Sequence, residues 1–306
     1  MNEDLIKALS EIAEVRTGEP VSRHATFGVG GPADVYVIAK TEDELRLAYA
    51  AAKTHGAPVF IFGSGSNVLV SDRGIRGVTI ENRTSNVDGP VQNGAGLKIR
   101  VASGVSLATL ARRMASAGYG GIEWACGIPG SIGGAVVSNA GAYDRSLKDV
   151  LKSVRVADAG GNVSTVPLTD LHLDYRRSAF TEGEIADVVL LSADLHVDEA
   201  DRDQLKAKVQ EFDADRKASQ PPGQNCGSVF KNPVDHPSWW YVDQVGMRGH
   251  RIGNAQFSEL HTNFILNLGG ATAHDIVQLI ELAEERVEAQ FEVDLEREVA
   301  LIGEFE

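Results

Sequence analysis

The stretch Gly127-Ile-Pro-Gly-Ser-Ile-Gly-Gly-Ala-Val-Val-Ser-Asn-Ala-Gly-Ala-Tyr143 constrains this chain more than any other. Five of its first fifteen residues are glycine, and nothing between Trp124 and Tyr143 carries a charge. Glycine admits positive φ and, lacking a Cβ, lets backbone approach another group closely. Two readings follow. The stretch is a tightly packed turn between two core strands, or a cradle whose main-chain N–H groups hold phosphates or a flat cofactor, since runs of such donors form anion-binding concavities. As a membrane span the 20 uncharged residues from Trp124 are poor, because five glycines, a proline, two serines and an asparagine interrupt them.

A second glycine loop lies upstream. Pro58-Val-Phe-Ile-Phe62 reads as a buried strand that runs into Gly63-Ser-Gly-Ser-Asn67 and out through Val68-Leu-Val70. Dinucleotide fingerprints and P-loops both need a helix after their glycines, and a P-loop also needs Gly-Lys-Ser/Thr. Strand-loop-strand therefore argues against both. The loop is a hairpin turn or a set of N–H and hydroxyl donors for a diphosphate. Gly28-x-Gly30 is discounted as a nucleotide motif, since Pro32 follows and no helix opens.

With 306 residues the chain is expected to hold two or three units. Leu5, Leu9 and Ile12, with Ile6 and Ala13, predict an amphipathic helix within residues 1–17. Thr41-x-x-Glu44 opens a helix through about His55, Ser106 caps one that stops at Gly118, and Thr272-x-x-Asp275 opens the last long one. Asp203–Lys217 reads as a charged helix with Leu205, Val209 and Phe212 on one face. Val35–Ile38, Val78–Ile80, Leu97–Ala102, the hairpin Val154–Ala157 with Val163–Val166, Val188–Leu195 and a final strand near Val293–Ile302 complete the pattern. This mixture predicts an α+β fold rather than a regular βαβ alternation. Pro221-Pro-Gly223 marks a break and a domain seam.

A net charge of −14 argues against nucleic acid and requires any anionic substrate to be held by a local basic cluster. The acidic Met1-Asn-Glu-Asp start lacks the basic region and apolar core of a signal peptide, so a cytoplasmic location is expected, with no membrane partner. Cys126 and Cys226 form neither a disulfide framework nor a CxxC pair, and the eight histidines are scattered, so no metal site is expected.

Three smaller motifs carry ionisable groups. Tyr175-Arg-Arg-Ser178 sets two guanidiniums beside a phenol and a hydroxyl. It is a solvated pair or an anion fork. Cys226-Gly-Ser-Val-Phe-Lys-Asn-Pro233 is a capped turn or a binding loop. In Leu295-Glu-Arg-Glu-Val299, Glu296 and Glu298 share a face if the segment is a strand, whether or not they act.

Taken in order, Gly63-Ser-Gly-Ser-Asn-Val-Leu-Val70, Gly127-Ile-Pro-Gly-Ser-Ile-Gly-Gly-Ala135, Asn139-Ala-Gly-Ala-Tyr143, Tyr175-Arg176-x-Ser178, Gly227-Ser-Val-Phe-Lys-Asn-Pro233 and Leu295-Glu-x-Glu-Val299 form a set. That set resembles the UDP-N-acetylenolpyruvoylglucosamine reductase family, the flavoenzymes of peptidoglycan precursor synthesis, over roughly residues 22–303. The short connection from 143 to 175 resembles the compact form of that family. The resemblance implies an FAD-binding fold of two α+β subdomains of the PCMH type, residues 1–82 and 83–201, followed by an α+β substrate-binding domain, 202–294. The final strand, 295–306, would pack back on the FAD domain.

The chemistry implied by the resemblance has two halves. NADPH delivers hydride to FAD, and the enolpyruvyl ether of UDP-N-acetylglucosamine then receives hydride from the flavin N5 at its methylene carbon and a proton next to its carboxylate. By residue-by-residue match, Arg176 would clamp the carboxylate and steady the developing enolate, Glu298 would polarise that carboxylate as a protonated acid, and Ser228 would donate the proton. Tyr175, Lys231, Asn232 and His261 would hold the substrate. Gly63, Ser64, Gly65, Ser66, Asn67, Val68 and Leu69 would line the FAD, with Gly127, Ile128, Pro129, Gly130, Ser131, Gly133, Gly134 and Ala135. There are departures. Ser219 stands where many relatives carry a substrate lysine, with Lys217 or Arg251 as substitutes, and Trp239-Trp-Tyr241 replaces a more usual Gly-Lys-Leu. The competing readings are another oxidoreductase or oxidase on the same FAD fold, and a UDP-sugar or flavin-binding module without turnover. A hydrolase or metalloenzyme is poorly supported, since neither G-x-S-x-G nor H-E-x-x-H occurs.

Overall fold

The computed structural model describes residues 3–94 and 96–305. The chain divides into two compact units. One holds the residues up to Thr17, Val35–Ser64 and Gly77–Asp215; the other holds Gly18–Asp34, Gly65–Arg76 and the chain from Arg216 onward.

In the first unit, a four-stranded sheet takes the order Glu14–Pro20, Pro32–Ala39, Ile75–Asn82, Val59–Phe62. Its last two strands run parallel, with Ile61 opposite Ile80. The helices Glu3–Ile12 and Glu42–Thr54 bury Leu5, Leu9, Leu45, Ala48 and Ala52 against Val35, Val37, Val78 and Ile80. Thr41 starts the second helix because its hydroxyl accepts the Glu44 N–H at 3.1 Å. The N-terminal helix forms where the apolar spacing of Leu5, Leu9 and Ile12 predicts it. It ends at Ile12, and Glu14–Pro20 turns extended, where the β-branched Val15 and Thr17 suit a sheet edge better than a helix.

A larger antiparallel sheet follows in the order Val163–Pro167, Leu151–Asp158, Val188–Glu199, Gly96–Ala102, Val87–Asn93, with Tyr119–Gly120 beside the long central strand. Helix Leu107–Ala117 buries Leu107, Leu110, Ala111 and Met114 in the core of this sheet. Ser106 caps it through the Thr109 N–H at 3.3 Å, and Gly118 closes it at φ +89°. Arg112 on its exposed side pairs with Asp213 of helix Arg202–Ser219 at 2.7 Å.

The second unit has its own core, in which Ile276, Ile280, Ala283 and Val287 of helix Ala273–Phe291 meet Phe27, Leu69, Phe230 and Phe257. The capping box forms as predicted, with Asp275 N–H on Thr272 Oγ1 at 3.0 Å and Thr272 N–H on Asp275 Oδ2 at 3.0 Å. Asp72 takes two further helix-start donors, the Ala273 and His274 N–H groups at 2.9 and 3.1 Å. A three-stranded sheet, Arg251–Ile252, Ala255–Phe257 and Ile265–Asn267, lies alongside. The final strand is only Ala300–Ile302, parallel to Val68–Val70. The residues before it form no strand, only an isolated β-bridge of Arg297 to Phe230, with further hydrogen bonds to neighbouring segments.

Gly127–Tyr143 also departs from expectation. It contains a short helix, Ile132–Val137, capped by Ser131. Two glycines inside a helix contradict local propensity. At Gly133 the helix lies hard against Ser103, whose Cβ and carbonyl oxygen would sit 3.2 Å from an added Cβ, whereas at Gly134 an added Cβ would meet only Ser131 Oγ at 3.7 Å. A helix thus follows this glycine loop, against expectation; what precedes the loop is the one-turn helix Glu123–Ala125 rather than a strand, so the strand–glycine–helix order of a dinucleotide fingerprint is not met for that reason instead. No helix among the described residues is long and apolar enough to cross a membrane.

Candidate active site

Gly63, which opens the upstream glycine loop, meets Ser131 of the downstream one within the first unit, while residues 65–67 are counted with the second. A Cβ on Gly63 would lie 2.5 Å from Ser131 Oγ, so only glycine permits that approach without displacing the serine. Ser131 also bridges to Ser106, through Leu107 N–H to Gly130 O at 3.0 Å and Ile132 N–H to Val105 O at 2.8 Å. Among the described residues the N–H groups of Ser64, Gly65, Ser66 and Asn67 have no hydrogen-bond partner. A run of unengaged main-chain donors beside a glycine approach is the donor set an anionic diphosphate needs.

The second loop contributes less than its composition suggests. Ile132, Gly133 and Ala135 spend their N–H groups on Val105, Ser103 and Ser131, and Gly134 donates to Ser131 Oγ at 3.4 Å. Ala135 is buried in the core and Ile128 packs against it. Gly130 and Ser131 keep unengaged N–H groups among the described residues, with Gly130 at φ +125°.

A cavity of about 430 Å³ opens beside Gly63 and Ser64. Its far wall was not foreseen from the sequence. Asn82 donates to Ser103 Oγ at 2.7 Å and accepts from Thr84 Oγ1 at 2.7 Å, and Thr84 Oγ1 in turn accepts the Gly104 N–H at 2.9 Å. Asn82, Thr84 and Ser103 are all buried, and these bonds pair their side-chain oxygens within the wall, as burial requires. Glu81, which also lines the cavity, pairs with Arg83 at 2.8 Å. Thr109 and Arg113 line it from helix Leu107–Ala117. The one local signal for them is their helical spacing from the Ser106 cap.

Arg176 sits in the first unit on a loop tied to the end of the glycine stretch. Asn139 Nδ2 donates to Asp174 O at 2.8 Å, buried Ser178 donates to Val137 O at 2.6 Å, and Arg176 Nη2 reaches Gly141 O at 3.4 Å. Arg176 adopts φ +52°, and its guanidinium lies 5.4 Å from the centre of the exposed Tyr175 ring. A left-handed arginine is uncommon and stores strain, a feature found where geometry serves a site.

Ser228 and Glu298 lie in the second unit on paired segments. The Glu298 N–H donates to Val229 O at 2.7 Å, and Lys231 N–H donates to Glu296 O at 2.8 Å. Asn263, itself buried, straps the serine segment by accepting the Phe230 N–H and donating to Phe230 O, both at 2.9 Å. Asn67 Nδ2 donates to Glu298 O at 3.0 Å. Cys226 is buried beside them, and burial together with the Glu298 charge pushes its thiol far up, leaving it inert at neutral pH.

The four substrate candidates differ in availability. Lys231 Nζ lies 2.5 Å from Glu296 Oε1, and Asn232 Oδ1 accepts from both the N–H and hydroxyl of Ser238 at 3.0 Å. Both side chains thus have protein partners of their own. His261 Nδ1 accepts the Asn263 N–H at 3.2 Å, and burial lowers its pKa. Tyr175 is exposed. Of the departures, Trp240 packs against Tyr241 and Phe291, Trp239 stands edge-on to His261 at 6.5 Å, and Arg251 is held by Gly253 O and Asn254.

Residues 33–166 match the family of FAD-binding domains. Fold and donor loop together thus define an FAD-binding α+β protein. Residues 218–302 match the family described as UDP-N-acetylenolpyruvoylglucosamine reductase, C-terminal domain. A UDP-N-acetylenolpyruvoylglucosamine reductase of Synechococcus sp. (strain JA-3-3Ab) is 40% identical over 95% of this chain and 92% of its own length. One from Bacillus velezensis is 36% identical over 96% and 95%. The crystal structure of the Thermus caldophilus reductase matches with a TM-score of 0.76 at 30% identity, covering 95% of this chain and 99% of that one. The chain belongs to the UDP-N-acetylenolpyruvoylglucosamine reductase family.

Proposed function

We propose that Arg176, Ser228 and Glu298 carry out the substrate half of the reaction that gives this family its name, the reduction of the enolpyruvyl ether of UDP-N-acetylglucosamine to UDP-N-acetylmuramate. As a member of the family the chain is an FAD- and NADPH-dependent oxidoreductase of peptidoglycan precursor synthesis. Bound FAD supplies the hydride, drawn from NADPH. The protein's own part is to bind the carboxylate, stabilise negative charge as it develops there, and deliver one proton to carbon.

Arg176 suits the first task, since its planar fork matches a carboxylate and a cation opposite the growing charge lowers the barrier. Ser228 suits the last. A hydroxyl is a weak acid, so it serves only a strongly basic carbon held within reach. Glu298 would act as a protonated acid against the same carboxylate. The observation that carries this reading is the pairing of the Ser228 and Glu298 segments, Glu298 N–H on Val229 O at 2.7 Å. It puts the proposed donor and acid on adjoining backbone. Gly63, Ser64, Gly65, Ser66 and Asn67 would hold the FAD diphosphate, with Gly130 and Ser131. We also assign residues 1–82 and 83–201 to the two cofactor subdomains and 202–294 to substrate binding, in a protein that works in the cytoplasm without nucleic-acid or membrane partners.

The flavin spectrum tests this directly. The protein should purify yellow, bleach on NADPH under nitrogen, and regain its colour on addition of the enolpyruvyl UDP-sugar. A colourless protein that FAD does not reconstitute would sink the proposal. A bleached flavin that oxygen restores rapidly and the UDP-sugar does not would instead favour an oxidase on the same fold.

A further inference from the structure

The cavity beside Gly63 extends well past the diphosphate donors. Ser106, Thr109, Leu110 and Arg113 line it from one face of helix Leu107–Ala117, the i, i+3, i+4, i+7 set that shares a face. Seven residues at helical rise place Arg113 about 10 Å along the axis from Ser106. Ser106 is itself bridged to Ser131, which abuts Gly63. One end of the cavity is thus the diphosphate cradle, and the other is marked by a guanidinium.

That guanidinium is uncommitted. Its neighbour Arg112 pairs with Asp213 and Arg83 pairs with Glu81, whereas Arg113 has no hydrogen bond or ion pair among the described residues. The lining also includes Val87, Val105 and Leu110, apolar surface suited to one face of a flat ring. Arginine stacks on aromatic rings through its planar cation. FAD differs from FMN by an adenylate group, so any preference between them must arise beyond the first phosphate.

We propose that Arg113 is the residue that selects FAD over FMN, its guanidinium covering the adenine ring in this cavity. The proposal rests on the assignment of the Gly63 and Ser131 loops to the diphosphate. It adds a specificity residue that neither glycine motif contains.

The test uses full-length protein stripped of flavin and titrated with FAD and with FMN, followed by flavin fluorescence, with ADP as a competing probe. Wild type should bind FAD more tightly than FMN and release it to ADP. Arg113→Ala should weaken FAD about tenfold, weaken ADP by a similar factor, and leave FMN unchanged. Arg113→Lys keeps the charge without the planar face and should resemble the alanine variant. An unchanged FAD-to-FMN ratio in Arg113→Ala, or full recovery by lysine, would overturn the assignment. Thermal midpoints equal to wild type would show that a loss of FAD binding is not a loss of fold, and an unfolded variant is replaced by Arg113→Gln in the same titration. Failure of wild type itself to bind FAD would refute the cofactor reading rather than the role of Arg113.

Discussion

The side-chain amide of Asn67 donates to the main-chain carbonyl of Glu298 at 3.0 Å. The Asn67 carbonyl takes the Ala300 N–H at 3.1 Å, and Val68–Val70 then runs parallel to Ala300–Ile302. One asparagine in the loop proposed for FAD therefore fixes the backbone of the glutamate proposed for the substrate. These residues belong to the same unit, so any shift of the loop is passed to the carboxylate through a single hydrogen bond and a short strand pair.

Asn67→Ala should cost about 1 kcal/mol, the worth of one hydrogen bond. The thermal midpoint would fall by about 2–4 °C. More telling is the kinetic split. If Asn67 positions Glu298, substrate reduction should slow more than flavin reduction by NADPH in single-turnover absorbance. Equal slowing of both would mean that the loop, and not the glutamate, has been disturbed.

Ser228→Ala should leave flavin reduction within about twofold of wild type and slow reoxidation by the enolpyruvyl UDP-sugar by about 10²–10⁴-fold, the usual worth of a positioned general acid. Transient kinetics under nitrogen separates the two halves. Comparable losses in both halves would remove Ser228 from the proton-donor role.

The legible parts of this fold are the locally encoded ones. Thr41, Ser106 and Thr272 announce helix starts because capping is a contact within one turn. The strand-loop-strand at Pro58–Val70 reads correctly as secondary structure because apolar runs and glycine act over the same short range, although of Val59–Phe62 only Phe62 is fully buried, against the expected buried strand. The helix Ile132–Val137 does not, since its two glycines disfavour helix and the close packing of Gly133 on Ser103 is a contact about thirty positions away in sequence. Asn82, Thr84 and Arg113 were invisible as a site. Each is an ordinary polar residue, and what makes a wall of the first two is a set of hydrogen bonds to Ser103 and Gly104, about twenty positions away. Lys231 and Asn232 stand where the motif places them, yet their partners Glu296 and Ser238 emerge only when the chain folds.

Arg176 offers a test of strain. A non-glycine residue in the left-handed region costs roughly 1 kcal/mol, and Arg176 stands at φ +52°. Arg176→Gly should therefore be no less stable than wild type in thermal melts. It should slow substrate reduction by about 10²–10³-fold with NADPH reduction of the flavin intact. Arg176→Lys keeps the charge but not the fork, and should recover only part of the loss. A glycine variant that melts several degrees lower would show that the arginine is held for packing instead.

His261 sets a pH dependence whose sign follows from its surroundings. Burial disfavours its charged form, with the positive charge of Arg248 acting in the same direction and its own backbone hydrogen bond opposing, so the folded pKa lies below the ordinary 6.5. The unfolded chain then binds the proton more readily than the folded one, and stability rises with pH across that interval. About one pH unit or more above 6.5 the histidine is neutral in both states and contributes no slope. As the pH falls below 6.5 the folded state loses ground, until the folded pKa is passed and the loss levels off. His261→Gln cannot take up this proton and should flatten that part of the profile. The measurement is urea unfolding of both proteins at half-unit steps from pH 5 to 8. Parallel curves for the two would assign the acid sensitivity to other groups.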